Sequence, residues 1–462
     1  MEDSVHNLLK NLNMLTVPST MHNMEEDDDE GIVEGENKGK QNMLIGKDEE
    51  HSKWTHIPSD ILEMIMGRLT LTDYLGTSAV CSSWSATFAE AIANKHIKPL
   101  PEMPLVFLQP RKKLTLANSV LSIKAEEICS VINKSTGIPE SHHVYHGSVE
   151  GWMILSICLF VGTAKIIFFL NPVTSDVVIV PSPLKFPSNF PIPRRSNLNM
   201  GRMVASSSPK CEDCVLVGFF NDYEHIAYCR VNYDKSWTMI EAKQGGAGIF
   251  LDVEIFNGKL YVRTNMSSTS MLVYDLQDST DNPPKPIVLG NVPPIRPLPE
   301  LVTHENQIHV KGDVIRFLTT GYAAEELLLI YLFNNYVFET GSVGYMNIIN
   351  QYTSSPQVTK CEVFKLDTRS NEWVKLDHLG DRVIFLGYDK SFVMSRTLLN
   401  CSEELITENS VYFALHFSCP NPWMKIQLGR ICLTDNKVKY FSLEELGLEL
   451  DAYPSWFLPS AW

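Results

Sequence analysis

Between residues 57 and 92 the apolar positions recur at helical spacing, whereas beyond residue 100 they come in short runs broken by polar turns. Ile61, Leu62, Ile65, Met66 and Leu69 stand at i, i+1, i+4, i+5 and i+8, which lines one face of an amphipathic helix. Pro58 ahead of them and Asp60 in the first turn suit a helix start. Thr72 can cap a second helix running through Asp73, Tyr74 and Leu75 to Val80, and Ser82 or Ser83 can cap a third carrying Trp84, Phe88 and Ile92. A module this short buries little surface of its own, so the pattern predicts a docking unit that a partner completes.

The remainder reads as strands. Five stretches share one form, an apolar run, then Asn or Asp with small polar residues, then a second apolar run: 168–180, 229–240, 272–289, 363–376 and 431–443. Their spacing is irregular around the roughly 40 to 50 residues of a propeller blade. Inner hairpins at 314–333 and 382–394 precede two of these outer ones. Residues 104–123 together with the C-terminal "YPSWFLPSAW" supply a further blade. The expected fold is therefore mainly β with a small α-helical N-terminal module: a three-helix unit over 51–98, then a β-propeller-like domain over 104–460 with about six blades, range five to seven. The apolar run 152–170 nearly reaches the length of a membrane helix, but "VGTAK" interrupts it and "NPVTSD" follows, so two strands joined by a turn fit better and no membrane partner is expected.

Charge refines this picture. The net charge is −15, and residues 1–50 carry 13 Asp/Glu against 4 Lys, including "EEDDDE" at 25–30. That segment reads as an acidic disordered leader. The balance argues against a nucleic-acid groove, which needs a basic stripe to displace condensed counterions, and no nucleic-acid partner is expected. Ten scattered cysteines, with no cationic and apolar signal segment at the N-terminus, point to a reducing compartment, the cytoplasm, the nucleus or both.

"IPSDILEMIMGRLTLTDYLGTSAVCSSW" at 57–84 resembles an F-box, with Ile57, Pro58, Asp60, the stripe Ile61, Leu62, Ile65 and Leu69, then Asp73, and then Val80, Cys81 and Trp84 at the motif's positions. Ile57 stands where leucine is usual and Ser85 where many members carry arginine. Residues 104–460 are similar to the C-terminal domain of plant F-box proteins described as kelch-like, although the repeated double glycine of true kelch repeats is absent. The resemblance implies the substrate-receptor subunit of an SCF-type (SKP-cullin-F-box) ubiquitin ligase. It further implies an SKP-family adaptor and, through it, a cullin as partners, with Ile57, Pro58, Ile61, Leu62, Ile65, Leu69, Val80, Cys81 and Trp84 forming or supporting the adaptor interface. The competing expectation is a scaffold or regulatory binding protein whose F-box acts outside a ligase.

No constellation in the sequence calls for catalysis or a cofactor. Cys211, Cys214, His225 and Cys229 approach zinc-finger spacing, but a lone Cys-x-x-Cys is a weak signal, two of these cysteines fall in strand-like runs, and no metal is expected. "HENQIH" at 304–309 sets its histidines five apart, where one helical face needs four. "GGAG" at 245–248 lacks the strand-to-helix setting of a dinucleotide site. The target protein is expected on long loops of the propeller, with Phe190, Arg194 and Arg195 in 185–201 and Tyr336, Phe338 and Tyr345 in 334–352 as candidate contacts, because aromatics and arginine anchor interfaces.

Overall fold

The computed structural model describes residues 57–69, 80–94, 104–110, 119–122, 127–130, 143–158, 165–172, 174, 176–181, 200–220, 225–240, 250–265, 269–276, 284–295, 301–303, 308–321, 326–339, 351–352, 356–399, 406–417, 425–441 and 452–458. The chain divides into two compact units, one built from residues 1–100 with 136–138 and the other from the rest.

In the first unit α1 (Ser59–Met66) starts where the extended Pro58 offers its carbonyl to the Leu62 N–H at 3.0 Å. It ends at Gly67, whose N–H donates to Glu63 O at 3.0 Å. α2 (Ser82–Asn94) begins one residue earlier than a serine cap requires: Cys81 O accepts the Ser85 N–H at 2.9 Å, so Ser82 and Ser83 sit in the first turn. The expected middle helix at 72–80 lies almost wholly outside the described residues. α1 packs on α2. Leu62 and Met66 from the first and Trp84, Phe88 and Ala91 from the second form the buried side of that contact.

The second unit opens with β1 (Leu105–Pro110), β2 (Ser119–Ser122) and β3 (Glu127–Ser130). Three antiparallel four-stranded meanders follow: β4 (His143–Val149), β5 (Trp152–Cys158), β6 (Lys165–Leu170) and β7 (Val177–Ile179); β8 (Met200–Ala205), β9 (Val215–Phe220), β10 (His225–Arg230) and β11 (Thr238–Ile240); β12 (Phe250–Phe256), β13 (Lys259–Thr264), β14 (Met271–Asp275) and β15 (Ile287–Leu289). The next sheet holds β16 (Leu301–Thr303), β17 (Ile308–Thr320), β18 (Leu327–Glu339), β19 (Gln351–Tyr352), β20 (Gln357–Asp367) and β21 (Glu372–Leu376). β22 (Arg382–Gly387), β23 (Phe392–Ser395), β24 (Ser410–Phe417), β25 (Lys425–Cys432) and β26 (Val438–Tyr440) make the one after it. Finally β27 (Ala452–Phe457) returns to pair antiparallel with β1, Val106 opposite Trp456, and closes the ring with the C-terminal strand.

Among the described residues the strands thus form six sheets, inside the expected range of five to seven. β4, β8, β12 and β17, each early in its sheet, pack side by side in that order, β17 meets β23, and β27 packs on β22 and β24. These strands line the axis of a propeller. One apolar cluster fills each of five successive sheet-to-sheet interfaces. Trp152 and Trp237 sit in the first. Trp456 sits in the last, edge-on to Phe385 at 5.1 Å with its indole N–H on Leu386 O at 2.8 Å.

The outer hairpins form where the Asn and Asp residues predicted them. At the β6–β7 turn Asn171 Oδ1 accepts the Thr174 N–H at 3.2 Å. At the β20–β21 turn Asp367 Oδ1 accepts the Arg369 N–H at 3.0 Å, and at β25–β26 Asp435 Oδ1 accepts the Lys437 N–H at 3.1 Å. These are side-chain mimics of a backbone turn. Asn371 and Asn436 adopt positive φ, which asparagine tolerates better than most residues. The run 152–170 is the hairpin β5–β6, as expected.

One expectation needs correction. The segment from 334 is not an insertion from its start: β18 continues to Glu339, with Tyr336 opposite Lys311 and Phe338 opposite His309, and β19 pairs back onto it. Asn334 and Asn335 continue the strand, opposite Val358 and Gln357 of β20 across a register shift that skips Thr359, and Asn334 is buried. In the β22–β26 sheet the hairpin 382–394 forms as expected, and β22 also pairs in parallel with β24, leaving β23 on the sheet edge.

Candidate functional site

The helical module sorts its predicted residues by burial. Leu62 (1% exposed) and Trp84 (9%) belong to its interior. Ile61 (45%), Ile65 (39%) and Val80 (54%) are exposed apolar side chains, and so is Met64 (58%), which sequence reasoning passed over. Pro58 is exposed, and Ile57, Leu69 and Cys81 are half-buried. The stripe thus splits into two adjacent rows, Leu62–Met66 turned inward and Ile61–Ile65 turned outward, with Met64 beside the outer row. A helix this small leaves three large apolar side chains in solvent only where something else covers them or at a steady cost to solubility.

In the propeller the inner strands carry a second concentration of polar groups that the sequence did not disclose. β4, β8 and β12 each contain a register irregularity at corresponding places: His146 is skipped between Tyr145 and Gly147, Gly201–Arg202 between Met200 and Met203, and Leu251 between Phe250 and Asp252. Such bulges turn side chains out of the regular alternation. β4 and β8 also approach closely, since a Cβ on Gly147 would lie 2.3 Å from Met203 O. Only glycine admits that contact.

The groups so aimed form a buried network across the blades. His146 Nδ1 lies 2.7 Å from Gly201 O and Nε2 2.7 Å from Ser156 Oγ. A carbonyl only accepts, so Nδ1 carries the proton, and Nε2 takes the serine hydroxyl when the ring is neutral. Asp252 binds Arg202 Nη1 through Oδ1, which also accepts the Val253 N–H at 2.8 Å, and its Oδ2 accepts the Leu318 N–H at 2.7 Å. One carboxylate thereby joins β8, β12 and β17. Asp389 accepts the Ser455 hydroxyl from β27, and burial raises its carboxyl above the ordinary range against the pull of that bond and of Arg202. Arg263, opposite Asp252 on β13, is lowered by burial, with Asp252 opposing the shift.

Glu254, two residues beyond Asp252 on the same strand face, is 2% exposed. Its Oε1 accepts the Ile255 N–H at 3.3 Å and stands 3.6 Å from Lys390 Nζ, and Oε2 lies 3.8 Å from Arg202 Nη2 with no hydrogen bond. Burial raises its carboxyl, with Lys390 and then Arg202 pulling the other way. Glu254 and Lys390 line a pocket of about 100 Å³ where β4, β8 and β17 finish, together with Ser148, Glu150, Ser206, Thr320 and Leu458. All six sheets or their adjoining turns reach it.

The predicted target contacts fall elsewhere. Phe190, Arg194, Arg195 and Tyr345 lie outside the described residues, and the side chains of Tyr336 and Phe338 do as well, although both are placed on β18. Cys214 and Cys229 are buried and Cys211 half-buried; Cys214 Sγ donates to Ser207 O at 3.2 Å. Among the described residues no three His, Cys, Asp or Glu side chains are grouped to hold a metal ion. No described helix is long and apolar enough to cross a membrane.

The two units define an F-box protein with a C-terminal β-propeller: residues 54–90 match the F-box domain and residues 120–442 match the KIB1-4 beta-propeller. The second match spans most of the chain, and the protein belongs to the KIB1-4 beta-propeller family. It is similar to two Arabidopsis thaliana proteins named as F-box proteins. At5g66830 is 21% identical over 429 residues, covering 88% of this chain and 93% of the relative, and At4g22060 is 20% identical over 389 residues, covering 79% and 84%. Among solved structures, TolB from Acinetobacter baumannii aligns over 82% of this chain and 73% of its own at 9% identity, with a TM-score of 0.37. The gluconolactonase PpgL of Pseudomonas aeruginosa aligns over 77% and 99% at 6% identity, with a TM-score of 0.32.

Proposed function

We propose that this chain is the substrate-receptor subunit of an SCF-type ubiquitin ligase, its F-box docking on an SKP-family adaptor and, through it, a cullin, while the propeller holds a target protein. The observation that carries the reading is the exposed apolar set Ile61, Met64, Ile65 and Val80 on a module that matches the F-box, where inward packing already uses Leu62, Met66, Trp84 and Phe88. The chemistry asked of the chain is proximity alone. Holding a target lysine beside a charged conjugating enzyme raises effective concentration without any residue of the receptor reacting. An F-box joined to a propeller fits a family of non-catalytic adaptors.

The test is capture of purified SKP-family adaptor and cullin by the full chain, with an established F-box protein as positive control. Co-elution at equal stoichiometry supports the reading, and failure to bind adaptor under conditions that capture the control overturns it. The loops 185–201 and 334–352 are proposed as target contacts, to be tested by affinity mass spectrometry after each is shortened. The cytoplasm, the nucleus or both is the proposed location, to be read from a fluorescent fusion.

A further inference from the structure

We propose that the axial pocket seats the cationic head of one arginine or lysine side chain of the bound target, with Glu254 as its counter-ion. The identification of the source as a target rests on the receptor reading above; the pocket and its ligand chemistry do not.

Three observations converge on this assignment. The first is the state of Glu254. A carboxylate that is 2% exposed is costly to bury unless donors saturate it, yet one oxygen has a single 3.3 Å bond from the adjoining backbone and the other has none. Its two cationic neighbours stand at 3.6 and 3.8 Å, beyond hydrogen-bond reach, and Arg202 is already committed through Nη1 to Asp252. The raised carboxyl is consistent with a buried acid that lacks compensation.

The second is the composition of the wall. The charged lining residues are Glu150, Glu254 and Lys390, two acids against one base, and Ser148, Ser206 and Thr320 add hydroxyls that can accept further N–H groups. An anion would meet two carboxylates, and an apolar group would leave Glu254 as poorly bonded as before. An ammonium or guanidinium brings both the charge and the donors. Lys390 borders the same space on an unbranched stem and stands 3.6 Å from Glu254 without a hydrogen bond to it, so an incoming cation has that loose contact to displace.

The third is size and placement. About 100 Å³ accommodates one side-chain head and no folded element, and the pocket lies where inner strands of successive sheets end, a position that a segment laid across that face of the propeller would overlie.

Isothermal titration of the full chain with Nα-acetyl-arginine methylamide, its isosteric neutral citrulline counterpart, the blocked lysine analogue and free L-arginine tests the assignment. The blocked arginine should saturate one site, and citrulline should bind at least about tenfold more weakly, since it cannot neutralise the buried acid. Glu254→Gln should lose the same factor. Because that change touches the inter-blade network, Thr320→Trp, at the half-buried rim, gives an independent variant: it should block binding while leaving thermal unfolding in place. Equal binding of arginine and citrulline, no saturable site on folded wild-type protein, or full binding by both variants would each overturn the pocket assignment. Tighter binding of free L-arginine than of the blocked form would overturn the target as source. Adaptor capture measured on the same samples is independent. Its loss with arginine binding intact overturns the receptor reading alone.

Discussion

Replacing the three exposed apolar residues of α1 should weaken docking without unfolding the module, and replacing its buried neighbours should impair docking only by unfolding it. Burying an isoleucine side chain completely is worth about 1.5–3 kcal/mol, and methionine is similar. Ile61, Met64 and Ile65 retain 45%, 58% and 39% exposure, so docking that covers them has about 2–4 kcal/mol to gain from the three together. At about 1.4 kcal/mol per tenfold, Ile61→Ala/Met64→Ala/Ile65→Ala should weaken adaptor binding by a factor of about 30 to 1,000. Its unfolding midpoint should move little, because large-to-small changes are expensive only where a cavity is left. Leu62→Ala, at 1% exposure, should instead destabilise the module by about 2–5 kcal/mol, and binding should fail only as the fold does. Biolayer interferometry of the full chain on immobilised adaptor, paired with thermal unfolding of each variant, reads both quantities. A triple variant that binds within about threefold of wild type would refute the assignment of this row as the docking surface.

Trp456→Ala should destabilise the propeller by about 3–5 kcal/mol in urea titration, because it leaves a cavity in the last inter-sheet cluster and removes the indole hydrogen bond to Leu386 O. Glu326 should make stability pH-dependent in the acid range: burial alone would raise its carboxyl, but bonds from Arg382 at 2.9 Å and Lys365 at 3.1 Å outweigh this and hold it low. Its contribution is therefore complete above the unfolded value of about 4.3 and is lost as pH falls through the depressed folded value, so the stability gap between wild type and Glu326→Gln should close on acidification. Burial pushes the Cys214 thiol up to about 12, so iodoacetamide should leave it unmodified in native protein at pH 8 and label it after denaturation, as mass spectrometry of tryptic peptides can show.

What could be read from the sequence was what local chemistry dictates. The outer hairpins at Asn171, Asp367 and Asp435 were legible because each turn is held by the side chain that announces it. The helix over residues 59–66 was legible from spacing, but its two sides were not. Ile61 and Leu62 are equally apolar and lie about 100° apart on the helix, so hydrophobicity cannot say which faces α2. Met64 escaped because a lone apolar residue off the stripe looks like an ordinary surface position. The parallel pairing of β22 with β24 was illegible for another reason: it is a long-range choice, and nothing within 382–394 encodes it.

The axial cluster shows where such reading stops and why. "FLDVEIF" at 250–256 presents Asp and Glu at alternate positions, which in an isolated strand signifies a face turned to water. In the innermost strand of a ring that same face looks down the axis, where water is scarce, and the alternation acquires the opposite meaning. Arg202, Asp389 and Lys390 are separated from Asp252 by 50, 137 and 138 positions in sequence, and the bulges that aim Arg202 and shift Asp252 leave no mark in composition. One signal was nevertheless present. Two acids placed within a strand of otherwise large apolar residues, in a domain already read as radial repeats, had no solvent face to occupy on an inner strand. Charges in that position meet each other or stay incompletely bonded, and Asp252, saturated by three donors, does the first, whereas Glu254, a lining residue of the axial pocket, keeps one buried oxygen without a hydrogen bond.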